Sequence, residues 1–128
     1  MAARAFSIYE HRARTHHFDL RLMRGDSVAL WAVASAMPGP GDVAQLAIRI
    51  DELPFTALGT LDAQSDRTRW DHGPMTVRSW REGEAAVVTL HGASGGGLGG
   101  MRTVSLLHVG SVGEDDDHWT IVALDTSS

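Results

Sequence analysis

The sequence predicts an all-β fold, a small and mostly antiparallel barrel. Three observations predict it. Apolar residues recur with period two along most of the chain, as expected of half-buried strands. Turn-forming clusters punctuate these runs at short intervals. No segment carries a capped helical stripe, so no helix longer than about three turns is expected.

The elements follow in order. Phe6 and Ile8 alternate with Ser7, and Phe18, Leu20 and Leu22 alternate with His17, Asp19 and Arg21. Leu46, Ile48 and Ile50 alternate with Ala47 and Arg49. Further strands are expected over residues 28–34, 75–80, 85–90, 102–109 and 118–124. Between them lie Arg24-Gly25-Asp26, the run Met37-Pro38-Gly39-Pro40-Gly41-Asp42, Glu82-Gly83-Glu84, and Gly113 with the acids that follow it. Residues 58–71 have no clear period and read as a long loop or a single helical turn. Many short strands joined by regular turns imply a barrel or a sandwich.

The 128 residues fit one domain, 1–128, and 43% hydrophobic content suffices for one core. The chain has no cysteine, so disulfides and thiolate metal sites are excluded and any metal must be held by His, Asp or Glu. The first residues, Met1-Ala2-Ala3-Arg4-Ala5-Phe6, lack the apolar run of a signal peptide. No stretch approaches the roughly 20 apolar residues that span a bilayer. A cytoplasmic protein with no membrane partner is the expectation. All eleven basic residues are arginine, and their placement is uneven. Residues 1–24 carry a balance of +3 and residues 25–128 a balance of −8, which gives the net −5. Such a chain is a poor general ligand for duplex nucleic acid, whose affinity scales with the phosphates neutralised. A local arginine cluster can still grip one or a few phosphates.

The segment from His11 to Leu22, HRARTHHFDLRL, concentrates chemistry. On a strand, His17, Asp19 and Arg21 share one face, with successive members about 7 Å apart, while Phe18, Leu20 and Leu22 face the core. Imidazole with carboxylate is ordinary ligand chemistry for Mn²⁺, Zn²⁺ or Fe²⁺. A guanidinium is a natural fork for phosphate. His11 becomes a third ligand if the residues after it fold back as a loop. The plainer alternative is a solvated strand face with a salt bridge between Asp19 and Arg21.

This segment resembles the signature of the 3′-phosphoesterase domain of bacterial DNA ligase D, roughly H-x-A-R/S-x-x-H-Y/F-D-x-R-L. His11, Ala13, Arg14, His17, Phe18, Asp19, Arg21 and Leu22 meet it. Trp31-Ala32-Val33 resembles that family's W-A-V strand, and Gln45 to Asp51 resembles its R-L-A-V-x-V-E/D strand. Thr76-Val77 with Trp80 and Gly83 resembles T-V-x-x-W-D-x-G, and His118 to Asp125 resembles the closing W-x-L-x-K-x-x-D. The resemblance implies a small β-barrel with a crescent-shaped active-site groove. It implies that His11, His17 and Asp19 bind a manganese-type divalent metal and that Arg21 contacts phosphate; Arg14 is a second phosphate candidate in the same segment. The implied activity removes a 3′-terminal ribonucleotide or 3′-phosphate from a DNA or mixed DNA/RNA end during non-homologous end joining. Partners would be such 3′ ends and a separately encoded ligase or polymerase.

The departures fall on one half of that site. Where the family has D-H-P-x-x-Y, this chain has Glu52-Leu53-Pro54-Phe55-Thr56-Ala57, so leucine and alanine replace a histidine and a tyrosine that contact phosphate. A leucine neither donates a hydrogen bond nor carries a proton. The family's lysines are missing near Ser35 and at Val122 or Ala123, and its glycine motifs are poorly kept over residues 60–75. His72 is the candidate replacement imidazole, a phosphate ligand or general acid, against the simpler reading of a surface loop histidine. The departures leave two functional expectations, an active metal-dependent phosphoesterase or a degenerate module that binds phosphate or nucleic-acid ends.

His16 is read as a non-ligand, since it must face away from His17 on an extended chain, and His91, His108 and His118 as structural. The run Gly95-Gly96-Gly97-Leu98-Gly99-Gly100 formally satisfies G-x-G-x-x-G but lacks a βαβ context, so a strand connection is expected. Glu114 to Asp117 lacks EF-hand spacing and reads as a solvated turn.

Overall fold

A computed structural model describes residues 4–12, 16–34, 37–54, 67–111 and 117–124, with the backbone alone for residues 11, 12, 16, 51–54, 67 and 111. The described residues form eight strands and no helix. They are β1 (Arg4–Arg12), β2 (His16–Arg24), β3 (Ser27–Ala34), β4 (Gln45–Pro54), β5 (Arg67–Arg81), β6 (Ala85–His91), β7 (Met101–Ser111) and β8 (Asp117–Leu124). The strands close a barrel in the order β1-β2-β3-β4-β8-β7-β6-β5, and every pairing is antiparallel. Two four-strand meanders are thus joined by the β4–β8 and β1–β5 ladders. Closure removes the unpaired edges that an open sheet would present.

The alternation in sequence supplies the core. Phe6 and Ile8 from β1, Phe18, Leu20 and Leu22 from β2, and Trp31 and Val33 from β3 are buried together with Val88, Leu90, Leu106, Trp119 and Ile121. Strand β4 departs from the expected pattern. Ala47 is in the core, whereas Leu46 and Ile50 are 42% and 40% exposed. The physical reason is volume. Trp31 and Trp119 meet edge to face at 5.5 Å, and opposite them β4 supplies the small Ala47 and the stem of Arg49. The Arg49 guanidinium lies 4.6 Å from the Trp31 ring centroid and 6.0 Å from that of Trp119, a cation–π arrangement. Glu82, in the β5–β6 turn, closes this end: it accepts from Trp80 Nε1 at 2.7 Å and lies 3.7 Å from both Arg24 and Arg49.

Strand β5 starts at Arg67, well before residue 75. The expected loop therefore gives way to strand from 67 onward, while residues 58–66 lie outside the described residues. The extension is anchored by the glycine-rich connection between β6 and β7. Asp71 is 2% exposed and accepts backbone N–H groups from His72 at 2.7 Å, Ala93 at 2.9 Å and Leu98 at 2.9 Å. Gly97 N–H donates to the Trp70 carbonyl at 3.0 Å. A Cβ on Gly96 would lie 2.2 Å from the Asp71 carboxylate, and one on Gly97 would lie 2.0 Å from the Trp70 indole. The run that mimics a dinucleotide motif is thus a strand connection, and at these two positions glycine is required by close approach.

Replacing Asp71 with Ala would strip three backbone donors of their acceptor. Unsatisfied groups of this kind cost about 1–3 kcal/mol each when buried, and two of the three are only partly buried. We expect Asp71→Ala to lower unfolding free energy by about 3 kcal/mol in urea titration, whereas a change under 1 kcal/mol would show that the loop is held otherwise.

Candidate functional site

The hairpin of β1 and β2 sets the geometry. Its register pairs His11 with His17, Tyr9 with Asp19 and Ser7 with Arg21. On its other side β1 pairs with β5, setting Ser7 opposite His72, Tyr9 opposite Arg69 and His11 opposite Arg67. Three cross-strand rows result: Arg21–Ser7–His72, Asp19–Tyr9–Arg69 and His17–His11–Arg67. Since Phe6, Ile8, Phe18, Leu20 and Leu22 fill the interior, the rows run along the outer face of the barrel.

The fold-back that His11 needs is therefore present in the backbone. Directly paired positions in an antiparallel ladder have Cα atoms about 4.5–5.5 Å apart. His17 and Asp19 are two residues apart on one strand, and His17 Nε2 lies 3.1 Å from Asp19 Oδ1. Among the described side chains no group of three or more His, Asp or Glu residues is assembled at metal-binding distance; His11 is described by its backbone. Arg14 lies outside the described residues.

The β1–β2 part of this face is not a solvated strand surface. Asp19 is 3% exposed and Arg21 2%, while Ser7 is buried as well. A charge taken out of water is tolerated where it is paired. Asp19 is paired with His17, and the Arg21 guanidinium stacks on the Tyr9 ring with its central carbon 4.1 Å from the centroid. Tyr9 carries no functional signal in the sequence. Its position next to Phe6 and Ile8 marks it only as a strand residue, and its role arises from a neighbour on another strand.

A cavity of about 310 Å³ opens on this face, lined by Ser7, Tyr9, Arg21, Met23, Arg69 and His72 among others. A second, of about 230 Å³, shares Arg69 and His72 and continues toward Ala93, Ser94, Gly95 and Gly96 of the glycine-rich connection. His72 is exposed, on strand β5 rather than on a loop, and it lies in the same cavity as Arg21. Position 53 lies on the opposite flank. The register runs Met23–Val28–Leu53, so it stands two strands from β2 on the side away from β5, about 10 Å at the usual strand spacing. Ala57 is outside the described residues.

Two further histidines are engaged by side chains outside this face. His91 Nε2 lies 2.9 Å from Thr76 Oγ1. His108 Nε2 is 2.6 Å from Asp117 Oδ1, and its ring meets Trp119 edge to face at 5.3 Å.

Comparison with protein-family models and with curated proteins finds no match for this chain.

The stacking of Arg21 on Tyr9 yields a direct check. Tyr9→Leu keeps apolar bulk but removes the aromatic face, and cation–π contacts contribute about 0.5–2 kcal/mol. We expect a loss of stability in that range by urea titration; an unchanged midpoint would mean that Arg21 is held without the ring.

Proposed function

We propose that this chain is a metal-dependent phosphoesterase-like protein acting at DNA 3′ ends, with His11, His17 and Asp19 as metal ligands and Arg21 as phosphate ligand. The observation that supports it most is the β1–β2 register, which sets His11 across from His17 beside the buried Asp19 and Arg21. Two imidazoles and a carboxylate make a donor set suited to a divalent first-row cation, manganese in this proposal. Such a cation, when bound, supplies Lewis acidity and a water activated at neutral pH.

The chain's own residues have separate tasks. The Arg21 fork neutralises non-bridging oxygens of a 3′-phosphate or phosphodiester, where charge builds as the P–O bond to the leaving group breaks. Stacking on Tyr9 holds that fork in one orientation, so less is lost in ordering it at the moment of reaction. His72, reaching the same cavity, is the imidazole available to donate a proton to the departing oxygen. Hydrolysis would leave a 3′-hydroxyl on the strand. A ligase or polymerase encoded elsewhere is the proposed consumer of that end.

Leu53 and Ala57 favour a second reading, a module that binds 3′-phosphorylated ends and turns them over slowly or not at all. Loss of an acid–base group costs about 10²–10⁴ in rate. Binding through the metal and Arg21 would survive better than catalysis.

The test is incubation of the protein with Mn²⁺ and a primer-template ending in one ribonucleotide or a 3′-phosphate, followed by product analysis. We expect slow release of the terminal group by the wild type and a rise in rate with Leu53→His plus Ala57→Tyr. Strong wild-type activity that vanishes in His72→Ala would show instead a site rebuilt around His72. Tight binding with no product from any variant would select the binding module. In parallel, we expect His17→Ala to weaken Mn²⁺ binding at least about tenfold, and Arg21→Lys to spare Mn²⁺ while weakening phosphate. Unchanged Mn²⁺ affinity in His17→Ala would remove that residue from the metal site.

A further inference from the structure

Arg69 and His72 are three residues apart, and on a regular strand residues separated by an odd number lie on opposite faces. Here they line the same two cavities. The cause is a bulge: Ile8 pairs with Asp71 and Tyr9 with Arg69, so Trp70 is the extra residue. Trp70 turns inward and meets Phe18 edge to face at 5.1 Å, and Asp71 is buried under the glycine-rich connection. Parity is reset, and the flanking Arg69 and His72 both fall on the outer face, in the rows that begin at Asp19 and Arg21.

The larger cavity is lined by Arg21, Arg69 and His72 together with the hydroxyl-bearing Ser7 and Tyr9, and no carboxylate residue lines it. That is a concentration of positive charge and hydrogen-bond donors in a protein of net charge −5. Among the described residues neither the Arg69 guanidinium nor the His72 ring takes a hydrogen bond or ion pair. Asp71 borders the second cavity, but its oxygens are engaged by three backbone N–H groups.

We propose that the bulge on β5 builds a phosphate pocket from Arg69 and His72 on one side and Arg21 on the other, doing the work that Leu53 and Ala57 cannot. The ligand class is a phosphate monoester, whose two negative charges suit two guanidiniums and an imidazole. The esterified group extends across Arg69 and His72 into the second cavity. This deepens the phosphate reading of Arg21, but it requires neither a bound metal nor turnover.

The test uses the full chain freed of metal by a chelator, with inorganic phosphate as probe in calorimetric titration. Arg69→Gln and His72→Gln are outer-face changes, and folding of each is checked by its urea midpoint. A charge-assisted hydrogen bond lost from such a pocket weakens binding about tenfold or more, so each variant should show that loss. Arg78→Gln serves as control: Arg78 is on the same strand, donates to Thr89 Oγ1 at 3.1 Å and lines neither cavity. It should bind phosphate as the wild type does. The proposal is overturned if Arg69→Gln and His72→Gln stay within about twofold of wild type, if Arg78→Gln falls equally, or if the wild type shows no phosphate binding at about 10 mM, where each 1.4 kcal/mol is tenfold. Because metal is absent throughout, an inactive phosphoesterase assay leaves this result intact, and the converse holds.

Discussion

Strand β1 hydrogen-bonds to β2 on one side and to β5 on the other, and the site depends on that double pairing. The ladder to β2 brings His11 across from His17. The ladder to β5 closes the barrel and brings Arg69 and His72 to the flank of β1 opposite Arg21. Since the side-chain period of a strand is two, a slip of one residue in either ladder would send these groups into the core and bring Phe6 and Ile8 to the surface. Burial of Phe6, Ile8, Leu20 and Leu22 therefore fixes the outer-face chemistry as well as the fold.

The bulge at Trp70 and the glycine-rich connection act as one device. Two consecutive residues, Trp70 and Asp71, turn toward the barrel, and the 92–100 connection covers them with backbone close enough that only glycine fits at 96 and 97. An acidic side chain beside a phosphate would oppose it. Burying Asp71 under three N–H donors draws that charge away from the cavity shared by Arg21, Arg69 and His72. The same backbone feature thus supports the fold and keeps Asp71 out of the lining of the larger cavity.

Much of this was legible in the sequence, for reasons that differ by element. All eight strands leave an alternating or apolar trace, and the His17, Asp19 and Arg21 face follows from parity along one unbulged strand. Strand β4 was misleading, because its larger apolar residues face outward while Ala47 and Arg49 face the two tryptophans. The first half of β5 was not legible: Arg67-Thr68-Arg69-Trp70-Asp71-His72-Gly73-Pro74 has no clean alternation, since the bulge breaks it. Arg69 was missed for that reason, and Tyr9 because its partner Arg21 is a cross-strand neighbour. His72 stands out in the sequence as the candidate replacement imidazole, but its place on a strand flanking β1 opposite Arg21 needs the barrel closure.

We propose that one outer face, β2–β1–β5, holds a divalent metal and a phosphate side by side. Crystals grown with Mn²⁺ and inorganic phosphate, measured at the manganese absorption edge, test it most directly. We expect one anomalous peak bounded by His11, His17 and Asp19, with tetrahedral density beside it contacting Arg21, Arg69 and His72. A manganese peak elsewhere on the barrel, or phosphate density away from Arg21, would contradict it.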